Sequence, residues 1–407
     1  MYPRSIARRL DTSARRPQSR AVLRATRDLV LPTTITGSYP RPQWFVEELR
    51  GRGFKDALGD SRFREQYLDA VACLVREQEM AGLDIVTDGD SRFDLTVGGK
   101  SWFFYVIERL RGITGHVDRA AAGGWRGLPP GHILREVMEA YQPAVVGEAV
   151  SGASLQYAAL FKTAQRLSAR PVKFGAITGQ SLAKMLVNRH YASDRELILA
   201  LAEINNAEFK EVAAAGCRVI QVEEPQHHIA GANGTATDKD LEFFTEAVNR
   251  EIAGVDTEIW LHTCWGNPNQ QPLHWDRPSY ERALPYLLAT NADVLTLECA
   301  STKGRDLPLL KHHRTDKKIA IGVVNHSTAA VEPPEFVANL IRRALEYVPP
   351  ERLVLSTDCG FGREGLARRI AFYKCVAINL GANLVRRELK LPEVEIPAAD
   401  PRWTFGG

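Results

Sequence analysis

Short apolar runs rich in β-branched residues recur along the chain from Thr33, each followed by a stretch long enough for a helix. They are TTITGS (33–38), DIVTDG (84–89), VKFGAIT (172–178), RVIQVEE (218–224), EIWLHT (258–263), DVLTLE (293–298), KIAIGVV (318–324) and RLVLSTD (352–358). Short runs of Val, Ile and Leu are what strands buried on both faces look like. Between them lie helical patterns such as SDRELILALAEINNAEFKEVAAAG (193–216), with Ser193 as N-cap and Gly216 as the stop. Eight strand–helix alternations predict an α/β fold, a (β/α)8 TIM barrel, over residues 31–407. A doubly wound sheet with extra strands is the alternative. Residues 95–150, including GGWRGLPPGH, are too long for a simple crossover and predict an insertion after the second strand, with Val145–Val150 as one of its strands. No repeat and no linker divides the chain.

Residues 1–30 stand apart, with eight arginines before Asp28 and only Asp11 as an acid. Such a basic leader is either a transit peptide or a disordered tail, and it is left out of the barrel. The 407 residues are 44% hydrophobic and 25% charged with a formal net charge of +3, so bulk electrostatics asks for neither nucleic acid nor a membrane surface. No apolar run reaches the roughly 18–20 residues that span a bilayer. Six irregularly spaced cysteines do not make a disulfide framework, which places the protein in a reducing cytoplasm.

In a barrel of this kind the chemistry sits at the carboxyl ends of the strands. The eight runs end in Ser38, Asp88 and Asp90, Glu223 and Glu224, His262 and Cys264, Glu298, His326, and Asp358 with Cys359. His262 and Cys264, two apart on an extended segment, point to the same side. Glu298 and Cys359 follow the sixth and eighth strands, so four ligands of types N, S, O and S can meet at one mouth. Thiolate with imidazole selects Zn²⁺ over magnesium or calcium. Each residue alone has an ordinary explanation as a buried carboxylate, small hydrophobe or loop histidine; the convergence on strand ends favours the metal.

Taken in order, TGSYP, TDGD, QVEEP, HTC, TLE, NHS and STDCG resemble the catalytic domain of cobalamin-independent methionine synthase, from about Thr33 to beyond Cys359. The resemblance implies a zinc ion held by His262, Cys264, Glu298 and Cys359, with homocysteine as the thiol that receives a methyl group from a folate. It implies that Gly37–Ser38 hold the amino-acid carboxylate, that Asp90 and Glu223 hold the amino group, and that His326 delivers a proton to the leaving nitrogen. At the two acid positions the family usually has Glu and Asp respectively, so the longer and shorter side chains are exchanged here. Asp358 is expected to orient a ligand or a backbone amide.

Two departures bear on the donor. The chain is too short for the duplicated amino-terminal barrel, and the family's pterin-stacking tryptophan is matched by Leu186 in AITGQSLAKML. Trp44, Trp102 and Trp265 lie near strand ends and are the aromatic alternatives. A methyl-corrinoid donor is therefore open beside methyl-folate. Within the same superfamily, zinc-assisted opening of an epoxide by coenzyme M is the alternative reaction, and its sulfonate would need cations such as Arg41, Arg92 or Lys100. A closed structural zinc site and a zinc-free barrel lyase are the remaining classes. His227, His228, His312 and His313 match no motif and read as solvated loop residues.

Overall fold

Strands that lie between a layer of helices and a packed barrel interior need apolar side chains on both faces, and the runs supply them. The structure, a computed structural model, describes residues 25–95, 100–118, 131, 135, 139–152, 155–266, 278–362 and 366–403. Its strands are β1 (Val86–Thr87), β2 (Leu110–His116), β3 (Ala144–Gly152), β4 (Val172–Ile177), β5 (Leu186–Asn188), β6 (Val219–Glu223), β7 (Glu258–Thr263), β8 (Val294–Leu297), β9 (Lys318–Val324) and β10 (Leu353–Thr357). Seven of them form one parallel sheet in the order β1-β4-β6-β7-β8-β9-β10. The TTITGS segment lies between its two edges. Thr33 bridges Leu355, Thr34 N donates to Leu355 O, and the amides of Asp84 and Ile85 donate to Thr33 O. The (β/α)8 TIM barrel expected from the pattern is thereby formed, with seven runs as strands and TTITGS, held by one bridge, filling the eighth place.

Side chains along each strand alternate between two layers. Phe174, Ile220, Val222, Ile259, Leu261, Leu295, Leu297, Ile319, Ile321 and Leu355 join the main core, which includes the helices. Val219, Trp260, Val294, Ala320 and Val354, one position away, form a separate cluster with Ala25 and Ile85 inside the barrel. Ala25 and Thr26 are buried there, and Thr26 Oγ1 donates to Glu258 Oε1 at 2.8 Å. The last residues of the segment read as a leader thus close the barrel floor, a role that two small residues without periodicity do not advertise.

The helix Asp194–Ala214 starts at Ser193, whose side chain accepts from Glu196 N, and chain direction changes at Gly216 with φ +96°. Between β1 and β4 the chain builds the helix Lys100–Ile107 and an antiparallel β2·β3 pair. Val145–Val150 lies within β3. β5 extends this small sheet in parallel with β3, a long-range pairing with no local signal. Most of GGWRGLPPGH lies outside the described residues.

Candidate functional site

Inward positions change character toward the carboxyl ends of the strands. β7 carries Trp260 and then His262, with Cys264 one step past the strand; Cys359 follows β10. One ligand atom from each of His262, Cys264 and Cys359 lies within 4.8 Å of the others, and the two Sγ atoms are 3.1 Å apart. Neither ring nitrogen of the fully buried His262 has a hydrogen-bond partner among the described residues. The acid nearest to it is Glu223, with Oε2 3.5 Å from Nε2. Burial holds this imidazole well below its usual value, so it is neutral and keeps a lone pair to donate. The hydrogen bond with Cys264, followed by burial, pushes the Cys359 thiol well above its usual value. Orphaned imidazole nitrogens beside two crowded thiols cost stability in a protein alone and fit a soft divalent cation such as zinc.

Glu298 stands in an adjoining buried group, where its carboxylate, His326 and Asp358 again lie within 4.8 Å of one another. Its Oε2 accepts from Trp265 N at 2.8 Å and its Oε1 from Ser301 Oγ at 2.6 Å. The structure therefore brings three of the four expected ligands into one cluster and places the fourth beside it. His326 is fully buried with Nε2 3.3 Å from Gly266 O. Asp358 accepts from the amides of Cys299, Ala300 and Ser301 at 2.8, 2.8 and 2.6 Å, fixing the loop after β8. Burial and then the Glu298 carboxylate push Asp358 up to about 7.

The acids expected to face an ammonium converge from β1 and β6. Asp90 adopts φ +53°, a left-handed conformation that Asp tolerates, which lets its amide donate to Asp88 Oδ1 at 2.9 Å. Arg92 Nη1 lies 3.3 Å from Asp90 and 3.5 Å from Asp88, while Nη2 donates to Gly175 O. Gly37 packs under Asp90: a Cβ there would stand 3.1 Å from Asp90 Oδ2. Ser38 is buried beside the Cys359 loop, its Oγ accepting from Gly362 N at 3.1 Å. Burial pushes Glu223 up to about 8 against the hydrogen bond from Gln221, and the Asp90 carboxylate adds to the rise. Its neighbour Glu224 points the other way and caps the helix Pro225–Ala232 by accepting from His227 N.

His227 and His228, expected in solvent, are fully buried on that helix, which corrects the expectation. The Glu224–Pro225 start is a helix signal that turns both rings inward. His227 packs edge-on against Phe244, and His228 lies against Trp265 and Tyr280 with Nε2 2.8 Å from Cys264 O. Tyr280, which no motif marked, donates to Thr263 O at 3.0 Å and accepts from Glu298 N at 3.2 Å. Lys173 and Gln221 were also missed, although a lysine inside VKFGAI and a glutamine inside VIQVE are visible anomalies in buried strands. Arg41 donates to the carbonyls of Phe45, Glu47, Ser91 and Phe93. Of the candidate stacking rings, Trp265 is fully buried, Trp44 is exposed, and Trp102 packs on Phe93. The Lys100 side chain lies outside the described residues.

These features define a class: a TIM-barrel protein with a buried imidazole and two thiols at its carboxyl-end mouth, faced by carboxylates. A sequence profile of the cobalamin-independent synthase catalytic domain matches residues 131–374. The methionine synthases of Sulfurisphaera tokodaii and Saccharolobus solfataricus are each 30% identical over 362 residues, covering 89% of this chain and 94% and 96% of theirs. A B12-independent methionine synthase from Shewanella sp. W3-18-1, solved in complex with selenomethionine, superposes with a TM-score of 0.70 at 26% identity, over 89% of this chain and 99% of that one. The chain belongs to the cobalamin-independent methionine synthase family.

Proposed function

We propose that the protein is a zinc-dependent S-methyltransferase that methylates the sulfur of homocysteine to give methionine. His262, Cys264 and Cys359 hold the zinc, with Glu298 of the adjoining group as the fourth, exchangeable ligand. Bound zinc lowers the pKa of a coordinating thiol, so that the reactive thiolate is available at neutral pH. Asp90 and Glu223 receive the ammonium of the substrate, whose charge draws Glu223 down from about 8 into its ionised form, and Gly37 and Ser38 receive its carboxylate. His326 delivers a proton to the departing group of the donor.

The observation that carries this reading is adjacency: Glu223 Oε2 lies 3.5 Å from His262 Nε2, so a carboxylate suited to an ammonium and a ligand for the zinc that would bind the thiol share one mouth. Coenzyme M offers a sulfonate instead. Arg92 is committed to Asp88, Asp90 and a carbonyl, and Arg41 to four carbonyls, which counts against transfer from an epoxide to that thiol. Leu186 begins β5 and offers no ring for a pterin, so the methyl donor, folate or corrinoid, is assigned by experiment. The described residues contain no helix long and apolar enough to cross a membrane, and six free thiols suit a cytoplasmic protein with small-molecule partners.

Cobalt(II)-substituted enzyme titrated with homocysteine and with 2-mercaptoethanesulfonate tests the thiol through its sulfur-to-metal charge-transfer bands. Saturable bands with homocysteine alone are expected; bands with the sulfonate alone, or with neither thiol, overturn the assignment. Methionine formation from methyltetrahydrofolate and from methylcobalamin, measured side by side, then identifies the donor.

A further inference from the structure

Lys173 is almost completely buried on the inner face of β4, and the chemistry proposed above gives it no role. Its ammonium donates to Gln221 Oε1 at 2.6 Å and to Ile35 O at 2.7 Å, and stands 4.5 Å above the Trp260 ring. Gln221 is equally buried on β6. Its Nε2 donates to Thr36 O at 2.8 Å and to Glu223 Oε1.

Burial lowers Lys173 to about 7, while the Glu223 and Asp90 carboxylates favour its charged form. An amide side chain has one accepting and one donating end, and an ammonium only donates. The lysine therefore obliges Gln221 to turn Oε1 toward it, which leaves Nε2 toward two acceptors, the Thr36 carbonyl and the Glu223 carboxylate. Were the amide reversed, Oε1 would face both oxygens and Nε2 would face the ammonium. The same pair also holds the carbonyls of Ile35 and Thr36, immediately before Gly37 and Ser38, in a segment with few strand-to-strand bonds.

We propose that Lys173 is a positioning residue for the amino-acid end of the substrate: through Gln221 it fixes Glu223, and through the Ile35 and Thr36 carbonyls it fixes the Gly37–Ser38 turn. This inference rests on the homocysteine reading and adds a specificity device to it. Among the described residues Lys173 donates to Gln221 and Ile35 and makes no hydrogen bond to His262, Cys264 or Cys359, and its charge acts on His262 only through space. Its loss should weaken recognition of the charged end of the thiol and leave sulfur binding alone. A purely structural lysine would affect all thiols alike.

Cobalt(II)-substituted wild type, Lys173→Met, Gln221→Leu and the double variant are titrated with homocysteine and with 2-mercaptoethanol, which lacks both charged groups. Lys173→Met and Gln221→Leu should each weaken homocysteine about tenfold or more, as expected for one hydrogen bond to a charged group. Neither should change the midpoint for 2-mercaptoethanol. The double variant should lose less than the sum of the two single losses, because part of the lysine's effect passes through the amide and only its bond to the Ile35 carbonyl is independent of it. Equal losses for both thiols, no loss for homocysteine, or additive losses in the double variant overturn the proposal. Should Lys173→Met not fold, the thiol selectivity of Gln221→Leu decides alone. Absence of homocysteine bands in the wild type would instead refute the functional reading itself.

Discussion

Replacing Tyr280 with phenylalanine removes one oxygen and nothing else, so its cost can be worked out in advance. The hydroxyl joins two strand ends that carry candidate ligands: it donates to Thr263 O, between His262 and Cys264, and accepts from the amide of Glu298. Tyr280 is 1% exposed, so water cannot take its place. An orphaned buried N–H costs about 1–3 kcal/mol and a lost neutral hydrogen bond about 0.5–1.5 kcal/mol, giving roughly 2–4 kcal/mol for Tyr280→Phe. At about 2.1 cal/mol/K per residue, a chain of this length should then melt about 2–5 °C lower. Ring packing against Trp265 and His228 is retained, so the effect is polar rather than a cavity. Calorimetry of the metal-free protein measures the first consequence. Competition with a chromophoric chelator measures the second, a weaker hold on zinc, because the backbone under Glu298 is no longer tied to β7. An unchanged melting temperature together with unchanged zinc affinity would refute the claim that this hydroxyl couples the two strand ends.

Two further perturbations test the packing and the electrostatics around the mouth. A Cβ at Gly322 would stand 2.1 Å from Asp358 Oδ1 and 2.5 Å from its Cα, so Gly322→Ala should destabilise the fold by about 3 kcal/mol or more and lower the zinc content found by elemental analysis; a wild-type melting curve would count against this geometry. Burial pushes Glu251 up to about 8 from an ordinary 4.5, against the hydrogen bonds from Asn205 and Gly179. Between those values the folded state keeps a proton that the unfolded chain has released, so stability from this group is present below pH 4.5 and is lost as pH rises toward 8, at about 1.4 kcal/mol per unit. Glu251→Gln keeps an Oε1 for both donors and should gain on the wild type steadily from pH 5 to pH 8 in urea titrations; parallel profiles would show that Glu251 is ionised in the fold.

The barrel was legible because its strands are buried on both faces and therefore stand out as apolar runs. Where the reading missed, the structure had replaced local signals with distant ones. TTITGS looks like a full strand, yet only Thr33 forms a bridge. Thr36 N donates to the Thr357 hydroxyl, and the carbonyls of Ile35 and Thr36 accept from Lys173 and Gln221, so side chains from across the barrel do the work of a neighbouring strand. The paired histidines looked like a polar loop because hydropathy ranks imidazole with solvent. In contact with Phe244, Trp265 and Tyr280 they act as aromatic core instead. Of the candidate site, His262, Cys264 and Cys359 were legible as strand-end residues, whereas the separate grouping of Glu298 with His326 and Asp358 depends on how the loop after β8 is tied to Asp358, which no spacing encodes.

Fold and site share one register. Reading inward positions from floor to mouth gives Val219, Gln221 and Glu223 on β6; Trp260, His262 and Cys264 along and beyond β7; Val294, Thr296 and Glu298 along and beyond β8; and Val354, Ser356 and Asp358 along and beyond β10. In each case an apolar residue is followed by polar groups, while the residues between them pack against the helices. Because the strand period is two, a shift of one residue would exchange these sets completely. Glu223 and Glu224 show the consequence: one faces His262 inside the barrel, and the next is spent on capping a helix. The apolar runs that build this barrel therefore also determine which of two adjacent acids faces the mouth, and the same parity puts Lys173 and Gln221 inside, beneath Glu223, where no apolar partner could orient it.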